Sequence, residues 1–477
     1  MTSVGAAALC DSVSESAPRR PGARMIGAVT ALNPAAWWRG LGALTRSGSA
    51  GEGLSWALYD FANTIYSYAI VSYAIGLWAV DHLGAGPGQF WIGVATAVSV
   101  GINAAVSPVL GAMSDRTGRR LSYLLFFTAG CVIASAAIAL LPSSGGGASV
   151  AFIGLGLFAV ANFAYQAALI YYDATLPVVS RSTTRGRMSG IGVAVGYLGT
   201  IVIAGLILVL DSKASALTFL MAATLFGLFS IPIFLFLREP ARTGARFQLG
   251  DALASWSQLG TTLRHASEIP GLLRFLVGRF FYTDPVNTVI VVMSVFAVEA
   301  VGLTKSEANL LLLTLTVVAV IASFLWGWTV ERLGPKRTLM IVLGSWCVGL
   351  LIVAADLSLL AVVVGGIVVG SALGGVWTSD RVFMLRLSPP DRVGEFFGLY
   401  GLAGKFSAVT GPLLYGVIVN ALLPTLGRDA YRVAVASLLL LMIVGFVIVR
   451  GVREPPDRLD EDEVASPLNP LDAPWSA

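Results

Sequence analysis

Long apolar runs, broken by short charged or Gly/Pro-containing stretches, set the pattern of this chain. They predict twelve helical spans in two sets of six. The first set is 55–80, 90–113, 121–141, 149–172, 189–210 and 214–237; the second is 272–298, 308–330, 338–355, 359–382, 396–420 and 433–449. Most approach the roughly 20 residues that a helix needs to cross a bilayer, where the backbone must bond within its own segment. The runs are continuous and lack the short alternating segments of an outer-membrane barrel. The expected class is therefore an all-α polytopic membrane protein.

The loops give the orientation. On one side lie Arg116, Arg119 and Arg120, then Arg181, Arg185 and Arg187, the arginines between 238 and 264, then Arg332, Lys336, Arg337, Arg386 and Arg392. Opposite loops offer Lys213, Lys305, Arg428 and Arg432. The positive-inside rule makes the first side cytoplasmic, and an even number of spans puts both termini there. A gain or loss of one span would scramble the alternation. The expected home is the cytoplasmic membrane.

The organisation follows: a cytoplasmic lead over 1–53, a six-span bundle over 54–237, a linker over 238–270, a second bundle over 271–451 and a tail over 452–477. The lead has no signal-peptide plan and reads as disordered, except that 34–44 carries Trp37, Trp38 and Arg39, residues suited to a membrane surface. Met25 offers an alternative start. In the linker, Leu253, Trp256, Leu259 and Leu263 repeat every three or four residues, as on an amphipathic helix over 249–263. The tail is proline-rich and acidic and reads as disordered.

Composition agrees. Hydrophobic residues make up 56% of 477 and charged ones 12%, about half the charge fraction of a soluble domain, with a mean hydropathy of +0.80. The scattered Cys10, Cys131 and Cys347, with His82 and His265, suggest neither a disulfide framework nor a metal site. No cofactor is expected. The net charge of +4 is explained by topology, so no nucleic-acid partner is expected either. A nucleotide-binding Walker motif is absent, which excludes ATP-driven transport by this chain.

Three matches relate the two sets of spans. Gly111-x3-Asp115-Arg116-x-Gly118-Arg119-Arg120 aligns with Gly327-x3-Glu331-Arg332-x-Gly334-Pro335-Lys336. Asp60-x-x-Asn63-Thr64 aligns with Asp284-x-x-Asn287-Thr288, and Gly186, Gly190 and Gly196 align with Gly394, Gly398 and Gly404. In matching order and position, they imply a six-plus-six duplication.

The Gly111–Arg120 loop resembles the signature loop of the major facilitator superfamily. SWALYDFANT at 55–64, YDATLP at 172–177, RGRMSGIGVAVGYLGT at 185–200 and EFFGLYGLAGKFSAVTGP at 395–412 resemble, more narrowly, the prokaryotic branch of the autophagy-related vacuolar amino-acid effluxers. The resemblance runs from about 56 to 449. It implies a major facilitator fold, with two six-helix bundles rocking around a central cavity, and amino-acid export.

A charge at the centre of a span costs on the order of 2.5–3.5 kcal/mol on insertion scales, so each demands a reason. Asp60, Asn63, Thr64 and Ser67 share one helical face, and Asp284, Asn287 and Thr288 form its counterpart. Either face suits a proton or an ammonium group; the bland reading is an inter-helix polar clamp. Pro285 beside Asp284 suggests a hinge. Asn162 and Gln166 make a further stripe, with Asp173 expected to pair with Arg185 or Arg187 near the cytoplasmic end. Trp377, Asp380 and Arg381 sit together, with Arg381 suited to a carboxylate and Asp380 to a pairing elsewhere, or both to a gate.

Lys405 lies too deep to snorkel and demands a carboxylate partner (Asp60, Asp284 or Asp380) or an anionic solute. Arg279 is a second cation, or else reaches the interface. Gly111, Asp115, Arg116, Gly118, Arg119 and Arg120, together with Glu331 and Arg332, read as a cytoplasmic gate whose ion pairs hold one access state.

These readings predict a secondary transporter, not an enzyme. It would act as a monomer in lipid, exporting a small amino-acid-like solute with protons as a coupling partner. A cation-coupled sugar symporter and a non-transporting scaffold or sensor are the rivals; a scaffold gives no reason for paired polar faces at the midplane.

Overall fold

The computed structural model describes residues 34–142, 147–210, 215–239 and 267–454, all built from helices and short turns. Eleven single helices among them are long and apolar enough to cross a membrane. The remaining expected span, the first, is a composite over residues 50–83. An α-helix (Ala50–Tyr66) passes into a π-helical stretch (Ser67–Ala74) and returns to α-helix (Ile75–Leu83). No piece of it alone reaches crossing length, but together they make the twelfth span.

The second to sixth spans are Ala85–Thr117, Arg120–Ala139, Gly147–Ala174, Arg185–Val209 and Ala216–Phe236. The seventh to twelfth are Leu272–Glu299, Lys305–Leu333, Pro335–Ala355, Leu359–Leu387, Val393–Leu426 and Asp429–Arg450. Several overrun their apolar runs at charged ends, because a helix continues while its ladder of hydrogen bonds continues. Pro285 lies inside the seventh span, which is helical on both sides of it. Gly118, at φ +62°, turns the chain from the second span into the third. There the Glu239 carboxylate accepts the amides of Arg120 and Leu121 at 2.8 and 3.0 Å.

Packing repeats between the halves. The first span lies on the fifth and sixth, as the seventh lies on the eleventh and twelfth. The third lies on the fourth and sixth, as the ninth lies on the tenth and twelfth. Across the seam the second span packs on the eleventh and the fifth on the eighth, the same pairing seen from either side. Phe126, Ile133, Leu360 and Val417 are more than 60% exposed on the outer faces, as lipid contact requires.

The helix Pro34–Leu44 precedes the first span. Its Leu41 and Leu44 join Ala50, Leu54 and Ile191 in a small apolar cluster, and the Thr184 hydroxyl donates to the Leu44 carbonyl at 2.6 Å. This end of the lead is thus docked on the first bundle. The rest of the lead, the amphipathic stretch expected at 249–263 and the tail beyond 454 lie outside the described residues.

Candidate functional site

The arginine-rich ends of the two halves meet through small residues. A methyl group at Gly111 would strike the Gly394 carbonyl, and one at Gly398 would fall 2.7 Å from Pro108 Cα. Gly186 and Gly190 press equally closely on Gly327 and on the Ser323 carbonyl. Only glycine permits backbones this close.

Each half also lends a carboxylate to the other. Asp115 accepts the Gly394 and Glu395 amides at 2.9 and 2.8 Å, at the start of the eleventh span. A helix start carries free N–H groups and partial positive charge, so the anion is well placed. Arg120 holds the same carboxylate at 2.8 Å. Glu331 does the equivalent for the fifth span, accepting the Arg187 amide at 3.1 Å and its Nε at 2.5 Å. Arg332 lies instead over the Trp328 ring at 3.4 Å, within its own helix, and Arg119 is exposed. Among the described residues neither forms an ion pair with the other half. The side chain of Arg116 lies outside the described residues.

Deeper along the seam, Arg381 of the tenth span reaches into the first half. Its guanidinium donates to the Ser189 hydroxyl at 2.5 Å and to the Ser189 carbonyl at 2.7 Å, and lies 5.0 Å from the centre of the Trp56 ring. It stands 3.6 Å from the carboxylates of both Asp60 and Asp173. Asp173 therefore faces Arg381, and Arg187, one of the two arginines expected to pair with it, pairs instead with Glu331.

Neighbouring Asp380 points the other way. It pairs with buried Arg279 and accepts from the hydroxyls of Tyr400 and Tyr282 at 2.9 and 3.3 Å. Arg279 also lies over the Tyr400 ring at 3.4 Å and near Trp377 at 5.9 Å. It does not reach the interface.

Lys405 crosses the seam from the eleventh span. Its ammonium donates to Asn103 Oδ1, to the Ser107 hydroxyl at 3.1 Å and, at the limit of a bond, to the Gln166 carbonyl at 3.5 Å. The expected carboxylate contact is absent from its described bonds; neutral oxygens of the second and fourth spans hold it. Asn103 and Ser107 were the residues to find, because Ser99, Asn103 and Ser107 repeat every four residues through an apolar span.

Several other polar positions bond to neighbouring helices. Thr64 donates to the Gly196 carbonyl, Asn162 to Ser99 at 2.7 Å, and Asn287 to Ser407 at 3.3 Å. Asp284 Oδ1 accepts the Gly411 amide at 2.7 Å, and Thr288 donates to the Asp284 carbonyl at 2.8 Å. The structure therefore brings Asp60, Asp173 and Arg381 together and leaves Asp284, Asn287 and Thr288 apart, between the seventh and eleventh spans. Among the described residues no group of three or more His, Cys, Asp or Glu side chains could hold a metal.

Two six-span halves with this pairing define a major facilitator fold. Solved structures agree: the human organic anion transporter MFSD10 (TETRAN) superposes with a TM-score of 0.65 at 15% identity, covering 83% of this chain and 99% of its own. The proton:xylose symporter XylE superposes with a TM-score of 0.63 at 14% identity, covering 85% and 96%. At such identities the likeness is one of fold alone. The chain belongs to the family described as vacuole effluxer Atg22 like, which matches residues 92–458. An MFS-type transporter of Bacillus subtilis, YxiO, is 28% identical over 417 residues, covering 84% of this chain and 94% of its own. Autophagy-related protein 22-1 of Emericella nidulans is 24% identical over 268 residues, covering 50% and 46%. The protein is thus a multi-pass membrane transporter of the major facilitator superfamily, and its relatives are transporters, not enzymes.

Proposed function

We propose that this protein exports amino-acid-like zwitterions across the cytoplasmic membrane by alternating access, as a monomer and with protons as the coupling ion. The observation that carries this reading is Arg381 standing 3.6 Å from both Asp60 and Asp173 at the seam between the halves. That separation exceeds a hydrogen bond, so the charges hold one another in place without saturating. A solute carboxylate fits the guanidinium, and its ammonium fits Asp60 or Asp173. The family description names an effluxer of the vacuole, and efflux is carried over from it to this membrane as part of the proposal.

The arginine-rich face is read as cytoplasmic. The inter-half bonds described above all lie between that face and the level of Lys405. The state is accordingly read as closed to the cytoplasm.

Counterflow in proteoliposomes against amino acids, sugars and nucleosides, with and without a pH gradient, tests the proposal. Exchange of amino acids that responds to the gradient is the expected result. Exchange of sugars alone would establish the symporter reading in its place.

A further inference from the structure

We infer that Asp284 is the proton-carrying group of the cycle, sealed in a chamber that Gly411 of the eleventh span closes, and distinct from the solute-facing Asp60. This rests on the proton-coupled reading above and assigns the coupling to one carboxyl group.

The first argument is charge. In the interior of the described spans, Arg279 holds Asp380 and Arg381 stands between Asp60 and Asp173, while Lys405 crosses the seam to neutral oxygens. Asp284 is a fourth carboxyl with no ion pair among the described residues. It is also 2% exposed, so a charge there would be poorly solvated.

The second is its oxygens. Oδ1 takes the Gly411 amide, whereas Oδ2 is buried with no hydrogen-bond partner. The nearby Thr288 hydroxyl spends its proton on the Asp284 carbonyl. An orphaned carboxyl oxygen in a buried site asks for a proton or a cation. The site has no room for a solute: an added methyl at 411 would fall 2.5 Å from Oδ2 and strike the Thr288 hydroxyl.

Other charged and titratable groups nearby are turned elsewhere. On its own span, Arg279 and Tyr282 engage Asp380 of the tenth. On the eleventh, Lys405 is held by Asn103 and Ser107, and Tyr415 lines an apolar cavity with Val289 and Val292. Tyr431 of the twelfth meets the Phe296 ring. The eighth and twelfth spans otherwise carry their charges only at their ends.

The third argument is mechanical. The eleventh span covers Asp284 with Gly411, and the same helix seals the seam through Gly394, Gly398 and Lys405. Uptake of a proton under one end and opening of the seam at the other therefore bias a single element, as coupling requires.

Infrared difference spectra of the purified full chain in nanodiscs, taken between about pH 8 and about pH 5, read the carboxyl directly. A protonated-carboxyl band that vanishes in Asp284→Asn and persists in Asp60→Asn is expected. Gly411→Ala, which keeps the carboxyl but crowds it, should shift the midpoint of that band. In proteoliposomes loaded with a radiolabelled amino-acid mixture, the exchange remaining in Asp284→Asn should no longer change with pH. A band that persists in Asp284→Asn, a midpoint unmoved in Gly411→Ala, or a pH response surviving in Asp284→Asn would each overturn the assignment. Absence of any amino-acid exchange in the unmodified protein, with the band behaving as expected, would instead refute the solute reading and leave the proton site standing.

Discussion

The guanidinium of Arg381 stands 3.6 Å from the Asp60 carboxylate, across the seam between the two halves. The neighbouring residue, Asp380, makes a tight ion pair with Arg279 inside its own half. Adjacent positions on one helix thus serve different ends: one braces the second bundle, and the other reaches over to the first.

Removing Arg381 strands Asp60 and Asp173 together. Breaking a buried pair in this way costs about 3–5 kcal/mol. Arg381→Ala should lose solute exchange and melt at a lower temperature in detergent. Arg381→Lys keeps the charge but not the two bonds to Ser189, and should recover stability more than exchange. Thermal scans beside counterflow assays separate the two effects.

The glycine seam should tolerate no side chain. In Gly398→Ala the new methyl meets the backbone of Ser107 and Pro108, so the arginine-rich ends cannot close fully. Spin labels on exposed Arg119 and half-exposed Arg392 should report a longer distance in that variant. Gly205→Ala, with nothing within 4 Å of the added atom, should leave the distance as it was.

The two acidic latches should differ in weight. The Arg187 side chain is 45% exposed, so its ion pair with Glu331 is worth only about 0–1 kcal/mol. Asp115 instead meets two amides at a helix start as well as Arg120, and each hydrogen bond to a charged group contributes about 1.5–3 kcal/mol. Asp115→Asn should therefore open the seam in the same spin-label measurement more than Arg187→Gln does.

At Lys405 the outcome should follow the donor more than the charge. Lys405→Gln retains N–H groups for Asn103 and Ser107, whereas Lys405→Met removes both cross-seam bonds and leaves only the Ser107 hydroxyl to Asn103, a loss of about 0.5–1.5 kcal/mol for each bond. The methionine variant should melt earlier. Equal melting of the two would show that these hydrogen bonds contribute little to the closed seam.

The spans were legible because lipid imposes a length and a composition that no soluble context requires. Their ends were less so: the fifth begins at Arg185, four residues before its apolar run, since hydropathy marks the edge of the lipid and not the end of a helix. The π-helical stretch at Ser67–Ala74 left no signal in periodicity. Helical spacing placed Asp60, Asn63 and Thr64 on one face, but it carries no information about what faces them across a seam. That is why Arg381 beside Asp173, and Asn103 and Ser107 beside Lys405, did not follow from spacing, whereas the divergence of Asp380 and Arg381 followed from their adjacency alone.

Asp115 serves the Glu395 amide as Glu331 serves that of Arg187, each half reaching to the same place on the other. Such reciprocity is the mark of an isologous contact, in which one patch is complementary to its own copy. A single six-helix chain carrying an acid at this loop and glycines at this helix start could have closed on a second copy of itself. Joining two such chains end to end would preserve the fit and free the copies to diverge, one keeping Asp60 against an arginine of its partner and the other keeping Asp284 alone.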